Sequence, residues 1–301
     1  MVVSDLDGTL FNNENHPTEK NIIALQRLQK EGVPVVIASG RSLSAMTNTK
    51  ATLQMEIPMV GFNGSIVVSE NNRLIASKPL SMPLADSVVA LAREFGHLTN
   101  WYVGVDADSS ESVDTSSMGV HAVCESDSHS KLASRYSDLT GMTYTFVDGY
   151  KGLLIPPKLV VLTGEEHAKI FADRARDVFD SSQVKIIQDK WFVEFIAPDI
   201  HKASALSSLL SSSWNTSSIE MAQICAFGDG PNDTELLSQV GYGVAMANAV
   251  DDAKTAAKKV SLHANTNDAV ARELHCLILN GHFRTPLGHP IDNHLLTDLF
   301  S

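Results

Sequence analysis

The sequence predicts an α/β protein whose core is a doubly wound parallel sheet, with an α+β module inserted into that core. Three observations predict this fold class. Short apolar runs alternate with helical patterns near both ends of the chain. Some of these runs, such as residues 33–38, are apolar without interruption, which is typical of strands buried on both faces of a parallel sheet. The middle of the chain, residues 83–195, instead has a mixed rhythm of strands and helices.

The first part of the chain predicts strands that alternate with helices. Helices are expected at residues 18–30, where an apolar stripe has helical spacing, and from residues 39–42, which open a second helix. The strands are expected at residues 1–4, 33–38 and 57–60, with a hairpin of residues 65–68 and 74–76.

The middle and the end of the chain predict further elements of both kinds. Residues 106–131 are rich in Ser and Asp, have no clear period and are expected to be an exposed, mobile excursion. Residues from His282 onward have no helical period and are expected to form a docked or a flexible tail. Helices are expected at residues 83–95, 165–179, 202–210, 234–240, 250–259 and 268–279, and strands at 101–105, 159–162, 184–187, 192–196, 223–227 and 242–246.

Length, charge and cysteine content narrow the class of protein. The chain has 301 residues, 44% of them hydrophobic, which is enough for two packed domains. Its net charge of −12 argues against broad nucleic-acid binding, because nucleic-acid backbones attract surfaces rich in Lys and Arg. No apolar run reaches the roughly 20 residues of a membrane helix, and the first residues do not resemble a signal peptide. The three cysteines are scattered, so neither a disulfide framework nor a zinc site is expected, and a cytoplasmic protein is predicted.

An acidic turn follows the first strand, with the sequence Asp5-Leu6-Asp7-Gly8-Thr9. Because side chains alternate along an extended strand, the two carboxylates are expected to point the same way. Such a pair can hold a hard cation, or can divide the roles of nucleophile and proton carrier. The alternative is a solvated acidic turn that only caps the strand.

Three further polar segments lie at the predicted ends of strands or helices. Residues 228–233 (Gly-Asp-Gly-Pro-Asn-Asp) bring more carboxylates to a strand end, where one Mg²⁺ site could form; an ordinary turn is the alternative. Ser39-Gly40-Arg41 offers a hydroxyl and N–H groups to a phosphate, unless Ser39 is simply a helix cap. Lys202 lies near the start of a predicted helix and, taken alone, is most simply a solvated surface charge.

Taken in this order, the four segments resemble the four motifs of the haloacid dehalogenase superfamily of phosphohydrolases. The large insertion, and Asn63-Gly64 before it, resemble the Cof-type subgroup of that family, and the resemblance spans about residues 1–280. It implies a Rossmann-like catalytic core of residues 1–82 and 196–301, and an inserted α+β cap domain of residues 83–195.

The resemblance also implies a role for each matching residue. Asp5 is expected to be the nucleophile and Asp7 the general acid and base, with Lys202 also taking part in catalysis. Arg41 and Asn63 are possible substrate contacts. The phosphoryl group is expected to bind Ser39, Gly40, Lys202 and Asn232, and Mg²⁺ to bind Asp5, Asp229, Asp233 and the backbone carbonyl of Asp7.

Two departures from the family pattern stand out. Only four residues precede Asp5, so either the chain is trimmed or this edge of the sheet is weakly held. The third motif often reads Lys-Gly, whereas here Ala203 follows Lys202, so the start of that helix could be placed differently.

Three functions remain open at this point. The resemblance favours a Mg²⁺-dependent phosphatase that forms an aspartyl-phosphate and acts on small phosphorylated metabolites such as sugar phosphates. The alternatives are a phosphomannomutase-like phosphotransferase and a non-catalytic module that binds phosphate or metal. The expected partner is a small metabolite, with neither nucleic acid nor membrane, in a monomer or small homo-oligomer. Candidates for substrate choice in the insertion are Trp101, Tyr102, Tyr144, Phe146, Trp191 and the possible surface pair Lys158 and Glu194.

Overall fold

The strands of the protein form two separate sheets. A computed structural model describes residues 1–104, 121–124, 131–140, 143–285 and 288–300. In this part of the chain the strands are β1 (Val2–Ser4), β2 (Val35–Ala38), β3 (Met59–Gly61), β4 (Ile66–Val68), β5 (Leu74–Ser77), β6 (Leu98–Tyr102), β7 (His121–Cys124), β8 (Thr143–Phe146), β9 (Lys158–Leu162), β10 (Lys185–Gln188), β11 (Phe192–Ile196), β12 (Cys225–Gly228), β13 (Tyr242–Ala245) and β14 (Lys259–Val260).

Helices connect most of these strands. Several begin at a capping side chain: the hydroxyls of Thr18, Ser42 and Ser81 each accept a hydrogen bond from a backbone N–H three residues ahead. None of the described helices is long and apolar enough to cross a membrane. The helices are α1 (Glu19–Lys30), α2 (Leu43–Leu53), α3 (Met82–Glu94), α4 (Lys131–Thr140), α5 (Ala168–Val178), α6 (Lys202–Leu210), α7 (Thr234–Gln239), α8 (Asp251–Ala256) and α9 (Ala269–Leu279).

The first sheet has β1 at its centre. The order of its strands is β14-β13-β12-β1-β2-β3-β4-β5, and the six from β14 to β3 are parallel, whereas β4 and β5 run antiparallel to their neighbours. β1 is fully buried and pairs with β2 on one side and β12 on the other. The expectation of a weakly held edge is therefore wrong for this strand. The predicted doubly wound α/β core is confirmed, and the carboxyl ends of β1, β2, β3 and β12 share one edge of the sheet.

The second sheet is built from residues of the predicted insertion. Its order is β10-β11-β9-β6-β7-β8, and all neighbours are antiparallel except β7 and β8. Trp101, Val161 and Phe195 lie on one face, where they form an apolar core with Val88 of α3 and Phe171 of α5. The antiparallel strands and the helices on this face agree with the predicted α+β character. The predicted domain boundaries themselves stay a prediction.

Several elements differ from the expected ones. α4, β7 and β8 were not predicted, and β7 falls inside the stretch of residues 106–131 that was expected to be an excursion. The rest of that stretch, apart from Lys131, lies outside the described residues. β6 begins at Leu98 rather than at residue 101, because the polar residues Thr99 and Asn100 are buried and pair with β9. α8 ends at Ala256 because the next residues lead into the edge strand β14.

The C-terminal tail is docked on the first sheet's helices. Leu296 is fully buried and Ile291 nearly so, and both join the core that contains α9. Arg27 of α1 donates a hydrogen bond of 2.8 Å to the carbonyl of Leu295 and also forms an ion pair with Asp298. Of the two alternatives for this tail, the docked one is therefore correct.

Candidate active site

Asp5 lies at the carboxyl end of the central strand. Its backbone N–H donates to the carbonyl of Phe227 in β12, and its side chain is almost completely buried. The ammonium of Lys202 donates a hydrogen bond of 2.7 Å to Asp5 Oδ1. Lys202 is the first residue of α6, which His201 caps by accepting the N–H of Ser204, so the Lys-Ala departure leaves the start of the helix as predicted. Lys202 is not a solvated surface charge, because its side chain has no exposed area.

A second carboxylate holds Lys202 from the other side. Asp233 Oδ1 accepts a hydrogen bond of 2.6 Å from the Lys202 ammonium, and neither side chain is exposed. Burial alone would lower the pKa of Lys202, but the charges of Asp233 and Asp5 outweigh it and raise the pKa above the usual value. Lys202 therefore stays charged and fixes the two carboxylates on either side of it.

The turn after β12 carries Asp233 and also the third carboxylate of the cluster, Asp229. Asp233 Oδ2 accepts the backbone N–H groups of Asp229 and Gly230 at 3.0 and 2.9 Å, which closes the turn. The hydroxyl of Thr9 donates to Asp229 Oδ1 at 2.7 Å. Burial raises the pKa of Asp229 to about 6, against the opposing effect of the Thr9 hydrogen bond. These contacts join the turn to the segment that follows Asp5.

Gly8 makes room for the Asp229 carboxylate. A Cβ atom at this position would lie 2.1 Å from Asp229 Oδ2, and the φ angle of Gly8 is +74°. Only glycine allows both the positive φ and the close approach of the carboxylate without strain, because other residues avoid this φ and their Cβ atom would collide with the carboxylate. Gly8 is therefore required by the geometry of the site.

The three carboxylates fit a divalent cation. Asp5, Asp229 and Asp233 each offer an oxygen, and these oxygens lie within 4.8 Å of one another. Among the described residues Lys202 is the one cation paired with the cluster, through Asp5 and Asp233, so the cluster with all three carboxylates ionised carries a formal charge of −2, which a divalent ion would neutralise. Burial, followed by the neighbouring Asp233, raises the pKa of Asp5 to about 8 although Lys202 opposes this. Hard oxygen ligands suit Mg²⁺.

Asp7 lies apart from this cluster. Its carboxylate is about half exposed and pairs with Arg41, whose Nε donates to Asp7 Oδ2 at 2.8 Å. The expectation that the two carboxylates point the same way is wrong. β1 ends at Ser4, and residues 6–10 form a compact turn in place of an extended strand, so Asp5 and Asp7 have different partners. The predicted metal contact of Asp7, through its backbone carbonyl, is untouched by this difference.

Ser39, Gly40 and Asn63 lie together at the ends of β2 and β3. The carbonyl of Ser39 accepts the N–H of Asn63, and its hydroxyl accepts the N–H of Arg41 at 3.2 Å. Ser39 is not the helix cap, because α2 begins at Leu43 and is capped by Ser42. A Cβ atom at Gly40 would lie 2.9 Å from Asn63 Oδ1, so the glycine allows the close approach of this amide.

The amide of Asn63 links two of the predicted motifs. Its Oδ1 accepts a hydrogen bond of 2.8 Å from Nδ2 of Asn232. Asn63 and the preceding Phe62 both have positive φ angles, +58° and +52°, which are strained for residues other than glycine. Such strain is concentrated at functional sites in proteins. Here it brings the Asn63 side chain against Gly40 and Asn232.

A cavity of about 820 Å³ lies over these residues, and both sheets contribute to its walls. Lys158 and Glu194 of the second sheet line it, and they are not a surface pair, because their side chains are only 6% and 13% exposed. Of the aromatic candidates, Tyr102 lines the cavity, whereas Trp101 is buried in the core behind it. The side chain of Tyr144 lies outside the described residues. From the first sheet and its loops the cavity is lined by Asp5, Asp7, Asn15, Ser39, Gly40, Arg41, Ser42, Ser44, Ala45, Asn48, Asn63, Gly230 and Asn232.

Comparison with known proteins decides the family. The sequence profile of the family described as haloacid dehalogenase-like hydrolase matches residues 2–274. The chain belongs to this family. The resemblance predicted from the four motifs is therefore confirmed, and with it the prediction of a hydrolytic enzyme.

Relatives of this hydrolase include named phosphatases. The 5-amino-6-(5-phospho-D-ribitylamino)uracil phosphatase of Bacillus subtilis is 25% identical over 281 residues, which cover 91% of this chain and 96% of that protein. A haloacid dehalogenase-like hydrolase from Bacteroides thetaiotaomicron has the same fold, with a TM-score of 0.78, 22% identity and coverage of 92% and 98% of the two chains. A phosphatase of this superfamily from the same organism gives a TM-score of 0.71 at 20% identity, with coverage of 91% and 92%.

Part of the cavity wall in this hydrolase was missed from the sequence. Tyr136 and Thr140 of α4 line the cavity, and Tyr136 shares a hydrogen bond of 3.1 Å with the hydroxyl of Tyr102. The signal for α4 was present, since Leu132, Tyr136 and Leu139 follow a helical spacing. That signal was hidden because the helix directly follows the stretch without periodicity.

Proposed function

We propose that this hydrolase is a Mg²⁺-dependent phosphatase that acts on small phosphorylated metabolites through an aspartyl-phosphate on Asp5. One observation carries the proposal. A buried carboxylate, Asp5, lines a cavity of metabolite size and is held by a buried ammonium, Lys202, beside two more carboxylates. This combination supplies a nucleophile together with the charge that phosphoryl transfer requires.

Mg²⁺ would be held by Asp5, Asp229 and Asp233, together with the backbone carbonyl of Asp7. When bound, the ion supplies positive charge that offsets the repulsion between the carboxylates and a phosphate dianion. The side chains of the site orient the reacting groups. Lys202 holds Asp5 Oδ1 at 2.7 Å, which orients the carboxylate and leaves its other oxygen to attack phosphorus.

The reaction proceeds in two steps. In the first, an Asp5 oxygen bonds to phosphorus, the bond from phosphorus to the leaving oxygen breaks, and Asp7 donates a proton to that oxygen. In the second, Asp7 takes a proton from a water molecule, which attacks phosphorus and releases inorganic phosphate and free Asp5. The partly exposed carboxylate of Asp7 supports this role, because both the leaving group and water must reach it.

The phosphoryl oxygens need donors around them during both steps. The hydroxyl of Ser39, the backbone N–H of Gly40 and the side chains of Lys202 and Asn232 are the proposed donors, with Arg41 and Asn63 as possible substrate contacts. All of these except Lys202 line the same cavity as Asp5, namely Ser39, Gly40, Arg41, Asn63 and Asn232. Fixed donors of this kind stabilise the charge that spreads over the equatorial oxygens in the transition state.

The proposed substrates are phosphate monoesters of small alcohols, sugar phosphates among them. The cavity of about 820 Å³ is larger than a phosphate group needs and leaves room for a leaving group of sugar size or more. A relative named as a phosphatase of a phosphoribitylamino-uracil supports a hydroxylated leaving group. A cytoplasmic location stays a prediction.

The proposal is tested by measuring phosphate release from a panel of phosphorylated metabolites, with Mg²⁺ and with EDTA. Wild type is compared with Asp5→Asn and with Asp86→Asn, a control that removes an exposed carboxylate from α3. We expect release only with Mg²⁺, abolished in Asp5→Asn and unchanged in Asp86→Asn. Turnover by a folded Asp5→Asn variant at the wild-type rate would exclude the mechanism.

A further inference from the structure

An ion pair lies in the wall of the cavity that the second sheet contributes. Lys158 of β9 donates a hydrogen bond of 2.9 Å to Glu194 Oε1 of β11, and the two side chains are 6% and 13% exposed. Both residues line the same cavity as Asp5. No step of the mechanism above uses this pair.

The strand register explains why this pair faces the cavity. β9 and β11 are antiparallel neighbours in which Lys158 lies opposite Ile196 and Glu194 opposite Val160. Alternation therefore places Lys158 and Glu194 on one face, in diagonal positions, while Leu159 and Phe195 face the apolar core behind the sheet. The cavity face of this sheet thus carries a fixed donor and a fixed acceptor side by side.

Both members of the pair have hydrogen-bonding capacity left. Among the described residues, Glu194 Oε1 is the one oxygen to which the Lys158 ammonium donates, although an ammonium has three N–H groups. The ring centroids of Tyr102 and Phe62 lie 5.1 and 5.9 Å from Lys158 Nζ, so these rings contact the ammonium through cation–π attraction. Glu194 Oε2 accepts no hydrogen bond within the described ranges. Buried polar groups are normally satisfied, so this capacity is available to a molecule in the cavity.

A purely structural role does not explain why the Lys158–Glu194 ion pair is buried at the cavity wall. A buried ion pair contributes little net stability compared with apolar residues of the same size, because both charges lose their hydration. Elsewhere this sheet is held by apolar side chains such as Trp101 and Phe195. At the cavity wall, by contrast, Lys158 and Glu194 can form hydrogen bonds to a molecule bound in the cavity.

The charges around the cavity restrict what can bind there. Among its described lining residues the cations are Arg41 and Lys158, and each is already paired with a carboxylate, Asp7 or Glu194. Asp189 adds a further acidic side chain to the lining. A second phosphate on the substrate would therefore meet carboxylates without an unpaired cation. A hydroxyl group both donates and accepts, and so fits the pair.

We infer that Lys158 and Glu194 bind hydroxyl groups of the leaving alcohol and select monophosphate esters of uncharged polyhydroxy alcohols over bisphosphates. This inference rests on the proposed phosphatase function. It names two specificity-determining residues that contact the part of the substrate remote from phosphorus.

The test compares kcat/KM for a ribitol monophosphate with kcat/KM for acetyl phosphate, whose leaving group carries no hydroxyl. Variants are Glu194→Gln and the double variant Lys158→Met with Glu194→Met, which leaves no lone buried charge. We expect the ratio of the two kcat/KM values to fall by about 10- to 100-fold, the effect of losing a hydrogen bond to a charged group. Most of the fall should appear in KM.

Two surface variants are the matched controls. Lys169 pairs with Asp173 within α5, and Glu165 pairs with Arg135 of α4, and all four side chains are exposed. Because neither Lys169 nor Glu165 lines the cavity, Lys169→Met and Glu165→Gln should leave the ratio at the wild-type value. Wild type should also hydrolyse a hexose bisphosphate at least about tenfold less efficiently than the hexose monophosphate. Circular dichroism checks folding, and Glu194→Gln, which keeps the side-chain shape, carries the test if the double variant does not fold.

The outcomes separate this inference from the proposed function. No phosphate release by wild type from any substrate would refute the proposed phosphatase itself. An active wild type whose ratio changes by less than about twofold in folded Glu194→Gln and double variants overturns the inference alone. A wild-type preference for the bisphosphate would overturn it as well.

Discussion

Gly8 shows how one missing side chain shapes the site. The residue combines a φ of +74° with a position where a Cβ atom would lie 2.1 Å from Asp229 Oδ2. Substitution at this point would displace a proposed metal ligand, whereas substitution of most glycines with similar backbone angles would only strain the chain. The two effects can therefore be separated by experiment.

We expect Gly8→Ala to weaken Mg²⁺ binding and lower kcat/KM by at least about tenfold, because Asp229 must move away from the new methyl group. Gly164→Ala is the control: its φ is +78°, and a Cβ atom there would meet nothing within 4 Å. Both variants carry a similar backbone strain of about 1 kcal/mol. Mg²⁺ titration by calorimetry measures the difference, and equal effects in the two variants would contradict the proposed role of Asp229.

The raised pKa of Asp229 predicts how metal binding depends on pH. Its folded value is about 6, above the ordinary value, so a proton competes with the cation as the pH falls through 6. The pKa of Asp5, another proposed ligand, is raised to about 8, so the apparent Mg²⁺ affinity should already weaken below pH 8, by about tenfold per pH unit. Protonation of Asp229 should make this decline steeper below about pH 6. Calorimetry in buffers of different ionisation enthalpy counts the protons released; a decline in affinity that does not become steeper below about pH 6 would count against Asp229 as a ligand.

At the scale of elements, the sequence predicted those whose apolar period is clear along the surrounding chain and missed those next to stretches without a period. α6 (Lys202–Leu210) was predicted with the bounds it has, because a strong apolar stripe follows its first residue. α4, β7 and β8 adjoin residues of low periodicity and were missed. The pairing of Asp7 with Arg41 could not be predicted, since it follows from the compact turn at residues 6–10 and not from alternation.

The docked tail is an element whose contribution to stability can be measured. Leu296 is fully buried in the core that contains α9, so Leu296→Ala should lower the free energy of unfolding by about 2 to 5 kcal/mol. Leu262 is 88% exposed, and Leu262→Ala should change the free energy of unfolding by less than about 0.5 kcal/mol. Urea denaturation followed by circular dichroism compares the two variants. If Leu296→Ala and Leu262→Ala change the free energy of unfolding by similar amounts, the tail is not part of the folded core.

At the scale of the whole molecule, the sequence order of the motifs conceals their proximity. Asp5, Lys202 and Asp233 are separated by up to 228 residues, yet two hydrogen bonds of 2.7 and 2.6 Å join them. The meeting of Asp5 with the turn that carries Asp233 was predictable, because parallel strands bring their carboxyl ends to one edge. The position of Lys202 beside them was expected only from the family resemblance, because Lys202 lies on a helix. The cavity face of the second sheet was not, since the register that places Lys158 beside Glu194 depends on long-range strand pairing.

The charge of the assembled site predicts a dependence of phosphate binding on metal. Without a cation, the carboxylates of Asp5, Asp229 and Asp233 repel a phosphate dianion. Inorganic phosphate should therefore raise the melting temperature in the presence of Mg²⁺ and leave it unchanged in EDTA. Differential scanning calorimetry measures both conditions, and an equal rise in EDTA would show that phosphate binds independently of the metal.

The central position of β1 has a consequence for how the protein folds while it is being translated. Val2–Ser4 leaves the ribosome before the other described strands, but one of its two partner strands, β12, begins only at Cys225. At about 5 to 20 residues per second, roughly 10 to 45 seconds of translation separate the two. During that interval the strand that precedes Asp5 has one unpaired side, and all the described strands of the second sheet are synthesised before β12 appears. Asp5, the proposed nucleophile, is thus synthesised before the other proposed catalytic groups, and the turn that carries Asp229 and Asp233 follows only after β12.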